Sequence, residues 1–417
     1  MHRGSLFRHA DFRRLWAADT ASQFGTAVGY TAIPLLAAVT LAATPFEMGL
    51  LTAAETVAFL LIGLPAGVWV DRLRRRRVML TADFARFALL LTVPLAWWAG
   101  VLTLAQLLVV VLLVGVATVF FDIAYQSYLP SLVGRERLLE GNAKLQAVQS
   151  VAHIAGPSGA GVLVQLAGAA STVLITAFGY LTSALCLLRI RAVEPEPEPA
   201  GHARLLPRIA EGLRFVFSDK PLRASVACTA TANLFNGAFT AVQVLFLTRT
   251  VGLSPAVVGV VLAMGGAGGI TGAIASGALT RRIGQARAIW LVPLLTWPAH
   301  LLVPPAAPGW RLVLAAAGSV VFGFGVIVYN VASVSYRQAI CPDRLLGRMN
   351  ASARFVVWGT IPLGGLLGGA LGEGLGLRGA IWIAVAGEAA AALWVVCSPL
   401  RHMRDLPTEA KTGSEAA

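Results

Sequence analysis

Asp19, Glu55, Asp83, Arg86, Asp122 and Glu388 stand inside stretches that are otherwise apolar. Ionisable groups in a low-dielectric setting are costly, so each needs a partner or a function. Asp83 and Arg86, one helical turn apart, can pair on one face. Glu55 has no cation nearby in the sequence, and a buried carboxyl without one can take up and release a proton instead of holding a fixed charge. The chemistry on offer is therefore proton transfer. No nucleophile–base pair and no phosphate-binding glycine loop is present, so the chain itself is not expected to hydrolyse ATP or to be an enzyme. Cys186, Cys228, Cys341 and Cys397 are scattered without metal-ligand spacing and read as inert thiols. No cofactor and no metal is expected.

The elements that carry these residues follow from composition. The chain has 417 residues, 57% hydrophobic and 13% charged, against the roughly 25% charged of a soluble domain. Apolar runs of about 20 residues recur along it, each able to cross a hydrocarbon core of about 30 Å. The first run has no signal-peptide cleavage pattern and is too long for the apolar core of one, so it is expected to be retained. Breakers divide the chain into twelve expected spans: 14–41, 48–70, 78–100, 104–130, 142–167, 170–190, 222–248, 255–280, 286–304, 310–337, 352–373 and 378–400. Loops are short except near 191–221, where "VEPEPEPAG" reads as a stiff acidic linker and "LLPRIAEGLRFVF" as an amphipathic helix on the membrane surface. The expected architecture is an all-α integral membrane protein with twelve transmembrane helices in two six-helix pseudo-symmetric bundles. Residues 1–190 form the first bundle, 191–221 the linker, 222–400 the second bundle and 401–417 a cytoplasmic tail.

The net charge of +13 has a topological explanation. Alternating the loops between sides puts 29 of the 33 Lys and Arg on one side, leaving Arg249, Arg311 and Arg378 on the other and Arg86 within a span. The positive-inside rule makes the rich side cytoplasmic, with both termini inside. The densest cluster, "GVWVDRLRRRRVML" at 67–80, becomes the cytoplasmic turn between the second and third spans. Topology accounts for its arginines but not for Asp71. On this orientation Asp19, Arg86 and Asp122 lie at similar depths, about 10 to 12 Å from the cytoplasmic ends of their helices. They read as a charge layer, either proton-handling or a satisfied structural network. Glu55 lies about 12 Å in from the outer side. Glu55 and Asp122 are the first candidates for proton coupling, and Asp19 the third.

The two halves also repeat. "TASQFGTAV" (20–28) matches "TANLFNGAF" (231–239), Gly67 to Arg77 matches Gly277 to Arg287, and "DIAYQSY" (122–128) matches "NVASVSY" (330–336). The offsets drift from 211 to 208, and the last one aligns Asn142 with Asn350 and Gly156 with Gly364. The second copy has Arg281 in place of Asp71 and Asn330 in place of Asp122, so the acidic chemistry is concentrated in the first half. Parallel six-helix repeats imply a midplane substrate site and a rocking motion.

At these residues the chain resembles the major facilitator superfamily. Gly67, Asp71, Arg72, Arg75 and Arg76 fit that family's helix 2–3 motif, G-x-L-a-D-r-x-G-r-k-x-x-l, with Trp69 for the usual Leu and Arg74 for the second Gly. The resemblance implies a gate, with Gly67 allowing close helix approach and Asp71 forming a state-dependent latch. In "AHIAGPSGAG" (152–161), Gly156, Pro157 and Gly161 match the family's antiporter motif, while Ala152 and Ala160 replace glycines. That implies close packing between the halves and favours export over uptake. His153 beside it is expected to serve helix packing, with proton relay the alternative, and Glu388, on a helix peripheral in this fold, a structural or lipid-facing role ahead of a functional one. "FFDIAYQSYLPSLV", "LLEGNAKLQA" and "EGLRFVFSDKPLR" resemble the branch containing the enterobactin exporter and macrolide-efflux proteins.

The fold implied by the resemblance would bring Gln23, Tyr30, Tyr125, Asn233, Asn236, Gln243 and Tyr329 to the substrate cavity, with Trp16, Phe24, Phe235 and Phe239 making it amphipathic. The resulting expectation is a proton-antiporting exporter of a lipophilic or amphipathic small molecule, a drug or secondary metabolite, in the cell membrane. Proton-linked uptake or facilitated diffusion, and a non-transporting receptor on the same fold, are the alternatives. The expected partners are the substrate, protons and the lipid bilayer, with no nucleic acid, and the expected state is a monomer.

Overall fold

The computed structural model describes residues 6–134, 137–192, 194, 211, 214–341 and 343–404. Among them the chain is helical throughout and contains no strand. Most of the surface linker, much of the expected amphipathic helix and residues 405–417 of the tail lie outside the described residues.

The first half contains α1 (Ala10–Leu35), α2 (Pro45–Asp71), α3 (Arg75–Trp98), α4 (Leu104–Val133), α5 (Leu138–Ala167) and α6 (Ala169–Leu188). The second contains α7 (Lys220–Leu245), α8 (Pro255–Ile283), α9 (Gln285–Thr296), α10 (Trp310–Ile340), α11 (Asp343–Ala391) and the short α12 (Leu393–Val396). Several ends are written in the sequence. Thr44 caps α2 by accepting from the Glu47 amide, while the Glu47 carboxylate accepts from the Thr44 amide, and Pro45 opens the helix. Thr103 caps α4 through the Gln106 amide. Gly376 interrupts α11 at φ 75°, a conformation that favours glycine, and so separates the two spans expected on either side of it.

α1 runs into a π-helical turn at Leu36–Thr40, and α7 into another at Phe246–Thr250, an offset of 210. α9 tightens at Trp297–Leu302 into a 3₁₀ segment containing Pro298. That proline lacks the amide an α-helix would use, and His300 follows it on the tightened backbone.

Among the described residues, eight helical stretches are long and apolar enough to cross a membrane. Large apolar side chains such as Leu61, Ile274 and Val313 stand exposed along them, as a lipid-facing surface requires. α1 and α5 are not among the eight. α1 carries Asp11, Arg13, Arg14 and Asp19, and α5 carries Glu140 and Lys144.

Two compact units emerge from the packing. One comprises Met1–Ala203 with Ala241–Ala263, the other Arg204–Thr240 with Met264–Ala417. In the first, Leu6, Phe12, Leu15, Val70, Met79 and Tyr128 belong to one buried cluster. The second is cored by Trp297, Tyr329, Tyr336 and the aliphatic residues around them.

Candidate functional site

Within the first unit, α1, α2, α4 and α6 enclose a cavity lined by Thr26, Tyr30, Glu55, Phe59 and Tyr180 among others. Small residues let the helices surround it closely. A Cβ on Gly115 of α4 would come within 3.0 Å of the Glu55 carbonyl oxygen, so α4 and α2 meet backbone to backbone at the level of the acid. Glu55 is half-buried, and among the described residues neither a hydrogen bond nor an ion pair is recorded for its carboxyl. Tyr30 is 59% exposed and so remains reachable from the cavity. It shares that lining with Glu55 and Tyr180.

The expected charge layer divides in two. Asp83 and Arg86 form a buried ion pair on α3, as their spacing predicts. The Arg86 guanidinium lies between two rings, its Cζ 4.3 Å from the Phe121 centroid and 4.1 Å from the Tyr180 centroid, an arrangement that stabilises a desolvated cation. Tyr180 also shares a 3.0 Å hydrogen bond with Thr26. The second group is acidic. Asp19 is 3% exposed and accepts from the Gln23 amide at 3.4 Å. The Tyr125 hydroxyl and the Asp122 carboxylate act electrostatically on Asp19, although the hydroxyl reaches no sound hydrogen-bond geometry. Sequence reading missed Tyr180. Its signal was a polar aromatic residue in an apolar span, at no recognisable spacing from Arg86.

The motif residues have different surroundings from those expected. Asp71 ends α2, and its side chain is outside the described ones. A Cβ on Gly67 would meet nothing within 4 Å among the described residues, so they show no close helix approach there. Arg76 secures a helix end: its Nε donates to Leu187 O at 2.9 Å and its Nη2 to Leu188 O at 2.7 Å, where α6 runs out of internal partners. Glu194 does the converse for α3, its carboxylate accepting from the amides of Arg75 at 2.7 Å and Arg76 at 3.3 Å. Arg72 is exposed.

In the antiporter motif, Gly156 packs against Ala27 of α1, a contact to its own half of the sequence that corrects the expected one. Gly161 is the residue that meets α8. A Cβ on it would collide with the Pro255 carbonyl oxygen, and one on Gly259 with that of Pro157. Beside this contact the Ala256 amide donates to Gln165 Oε1 at 3.3 Å, and Arg249 donates to Ala38 O at 3.0 Å. Residues 241–263 are thereby fastened to α1 and α5 inside the first unit. His153 is exposed instead of packed, which overturns its expected role.

Of the other expected cavity residues, Gln243 is half-buried. Asn233 donates to Val357 O at 2.9 Å. Tyr329 is 1% exposed, and its hydroxyl is held by Ser225 and Thr229, so it belongs to the core. Phe239 is likewise buried, against His300. Asn236 donates to Glu388 at 3.0 Å, and Glu388 is fully buried. The lipid-facing alternative for Glu388 is therefore wrong.

A helical membrane protein with an intramembrane acid opening on a cavity is a transporter by class. The pattern of the transmembrane secretion effector family matches residues 4–415, and the chain belongs to that family of the major facilitator superfamily. It is similar to the multidrug efflux pump Tap of Mycolicibacterium fortuitum, at 28% identity over 87% of this chain and 89% of that one. It is also similar to the enterobactin exporter EntS of Escherichia coli O9:H4 (strain HS), at 27% identity over 97% and 96%. Among solved structures, a bacterial homologue of the iron transporter ferroportin in the inward-facing state superposes with a TM-score of 0.77 at 14% identity, covering 94% of this chain and 99% of that one. The nucleoside transporter NupG superposes at 0.74 and 12%, covering 93% and 98%. The chain is thus a membrane transporter related to efflux pumps, and not an enzyme.

Proposed function

We propose that the protein exports a lipophilic or amphipathic small molecule, a drug or secondary metabolite, in exchange for protons. The observation that carries this reading is Glu55, a carboxyl with no recorded cation, opening on an aromatic cavity inside a helical bundle. Such an acid can hold a proton in one state and yield it in another. Tyr30 and Tyr180 line the cavity beside it, and Tyr180 also meets Arg86. The similarity to a multidrug efflux pump and an enterobactin exporter supports the outward direction and an amphipathic cargo.

In this reading the chain is a monomer crossing the cell membrane twelve times, as two six-helix bundles with both termini in the cytoplasm. The Gly161–Gly259 contact holds the outer ends of α5 and α8 together and must part when the outer side opens. Gly67, Asp71, Arg72, Arg75 and Arg76 take up their latch when the cytoplasmic side closes. The test is accumulation of a panel of lipophilic dyes and drugs in inverted membrane vesicles, with and without an imposed pH gradient. Gradient-dependent uptake into the vesicles supports proton-driven export. Accumulation of none of the panel, or movement in the opposite sense, rejects it.

A further inference from the structure

Far from Glu55 in the sequence, the second unit contains another buried titratable pair. His300, 3% exposed on the 3₁₀ segment after α9, faces Glu388, fully buried on α11, with Nδ1 and Oε2 2.6 Å apart. The other carboxylate oxygen, Oε1, accepts from Asn236 Nδ2 at 3.0 Å. The imidazole is stacked on Phe322 with centroids 4.2 Å apart and lies 4.6 Å from Phe239. A hydrogen bond of this length requires a proton between nitrogen and oxygen. The pair is neutral overall when it holds one proton more than neutral imidazole with carboxylate, and carries a single negative charge when that proton is gone. Two rings and a fully buried carboxylate make the difference between these states large.

We infer that His300 and Glu388 form a second proton-binding site, and that Asn236 transmits its occupancy to α7. The inference rests on the proton-driven reading above. Asn236 is exposed on α7 while its amide is committed to Glu388, so it joins the buried hydrogen-bonded pair to an accessible helix face. When the pair loses its proton, the full negative charge on the carboxylate strengthens the bond from Asn236, and protonation of Oε1 would break it. Among the described residues, Asn236 is the other side chain that hydrogen-bonds to the pair. Tyr329 of α10 reaches the edge of Trp297, but its hydroxyl is tied to Ser225 and Thr229, with Cys228 beside it. On α11, Arg378 is ten residues from Glu388, about 15 Å along a helix, and donates to the carbonyls of Pro304 and Ala306. Glu373 lies on the other side of the break at Gly376.

The test uses two readouts on the full chain. In proteoliposomes, the pH gradient that balances a fixed gradient of transported dye gives the number of protons exchanged per substrate. Glu388→Gln, which keeps the bond to Asn236, is expected to lower that number by one, so that accumulation per unit of pH gradient falls about tenfold. Glu388→Asp is expected to restore it at least in part. In parallel, ¹⁵N-histidine spectra of the purified wild-type protein should show one imidazole, identified by its loss in His300→Gln, whose signal shifts with pH and with bound dye. This second readout stands even if the Glu388 variants do not fold. An unchanged proton number in folded Glu388→Gln, or a His300 signal that never moves with pH or dye, overturns the inference. If the wild type itself ignores the pH gradient, the proton-driven reading fails first, and a titrating His300 would then mark a pH sensor unconnected to coupling.

Discussion

Gly161 of α5 and Gly259 of α8 face each other so closely that a Cβ built on either would stand 3.0 Å from the Cα of the other and collide with a carbonyl oxygen of the opposite helix. No side chain fits between them. Overpacking a tight contact costs about 1–3 kcal/mol, enough to unbalance two conformations of similar energy. Gly161→Leu is expected to cut efflux by tenfold or more while the protein still reaches the membrane. Gly159→Leu, where a Cβ would meet nothing within 4 Å, is expected to transport normally. Equal losses in the two variants, measured as dye efflux per unit of protein, would detach the contact from transport.

Gly156 separates folding from gating. Its neighbour is Ala27 of α1, so Gly156→Leu forces apart two helices of the first unit. The expected outcome is lower thermal stability in detergent together with lower export, in contrast to a Gly161 variant that loses export first.

Removing one member of a buried ion pair leaves the other charge uncompensated, at a cost of about 3–5 kcal/mol. Asp83→Asn is therefore expected to lower the melting temperature and the yield of folded protein severely, since Arg86 would be left between Phe121 and Tyr180 with no carboxylate. Asp83→Asn with normal stability would contradict the pairing. By the same reasoning Arg76→Ala, which frees the Leu187 and Leu188 carbonyls, should be the more damaging change beside Arg74→Ala, whose side chain makes no capping bond.

The start of the chain is fastened by an acid at the opening of α5. Glu140 accepts from the Leu6 amide at 2.9 Å and pairs with Lys144 at 2.9 Å. The Leu6 amide first, and the Lys144 ammonium second, hold its carboxyl below the ordinary 4.5. A depressed acid contributes its stabilisation fully above the unfolded value and loses it as pH falls through the folded one. Hydrogen exchange at Leu6 should therefore stay protected from neutrality down to about the ordinary glutamate range, then quicken below it after correction for intrinsic rates. In Glu140→Gln the pH-dependent part of that protection should vanish.

The all-helical, membrane-crossing character of the chain and the Asp83–Arg86 pair were legible in the sequence because each depends on local periodicity. Long-range pairing was not. His300 and Glu388 are 88 residues apart, and only the tightened turn after Pro298 brings the ring to α11. The family fold places the helix of Tyr329 along the cavity, yet Ser225 and Thr229 satisfy its hydroxyl inside the core. Glu194 was read as part of a solvated acidic linker and instead caps α3. In each case the deciding partner lay on another helix.

Glu55 is where proton coupling is tested most directly. Inverted vesicles containing wild type or Glu55→Gln can be compared for dye accumulation under an imposed gradient of one pH unit, and for dye counterflow with no gradient. Each proton exchanged supports about tenfold accumulation per pH unit. Glu55→Gln is predicted to lose about that factor while retaining counterflow, because the amide keeps the cavity but cannot carry the proton. Undiminished gradient-driven accumulation by a folded Glu55→Gln protein would contradict the assignment and move the coupling to Asp122 or Asp19.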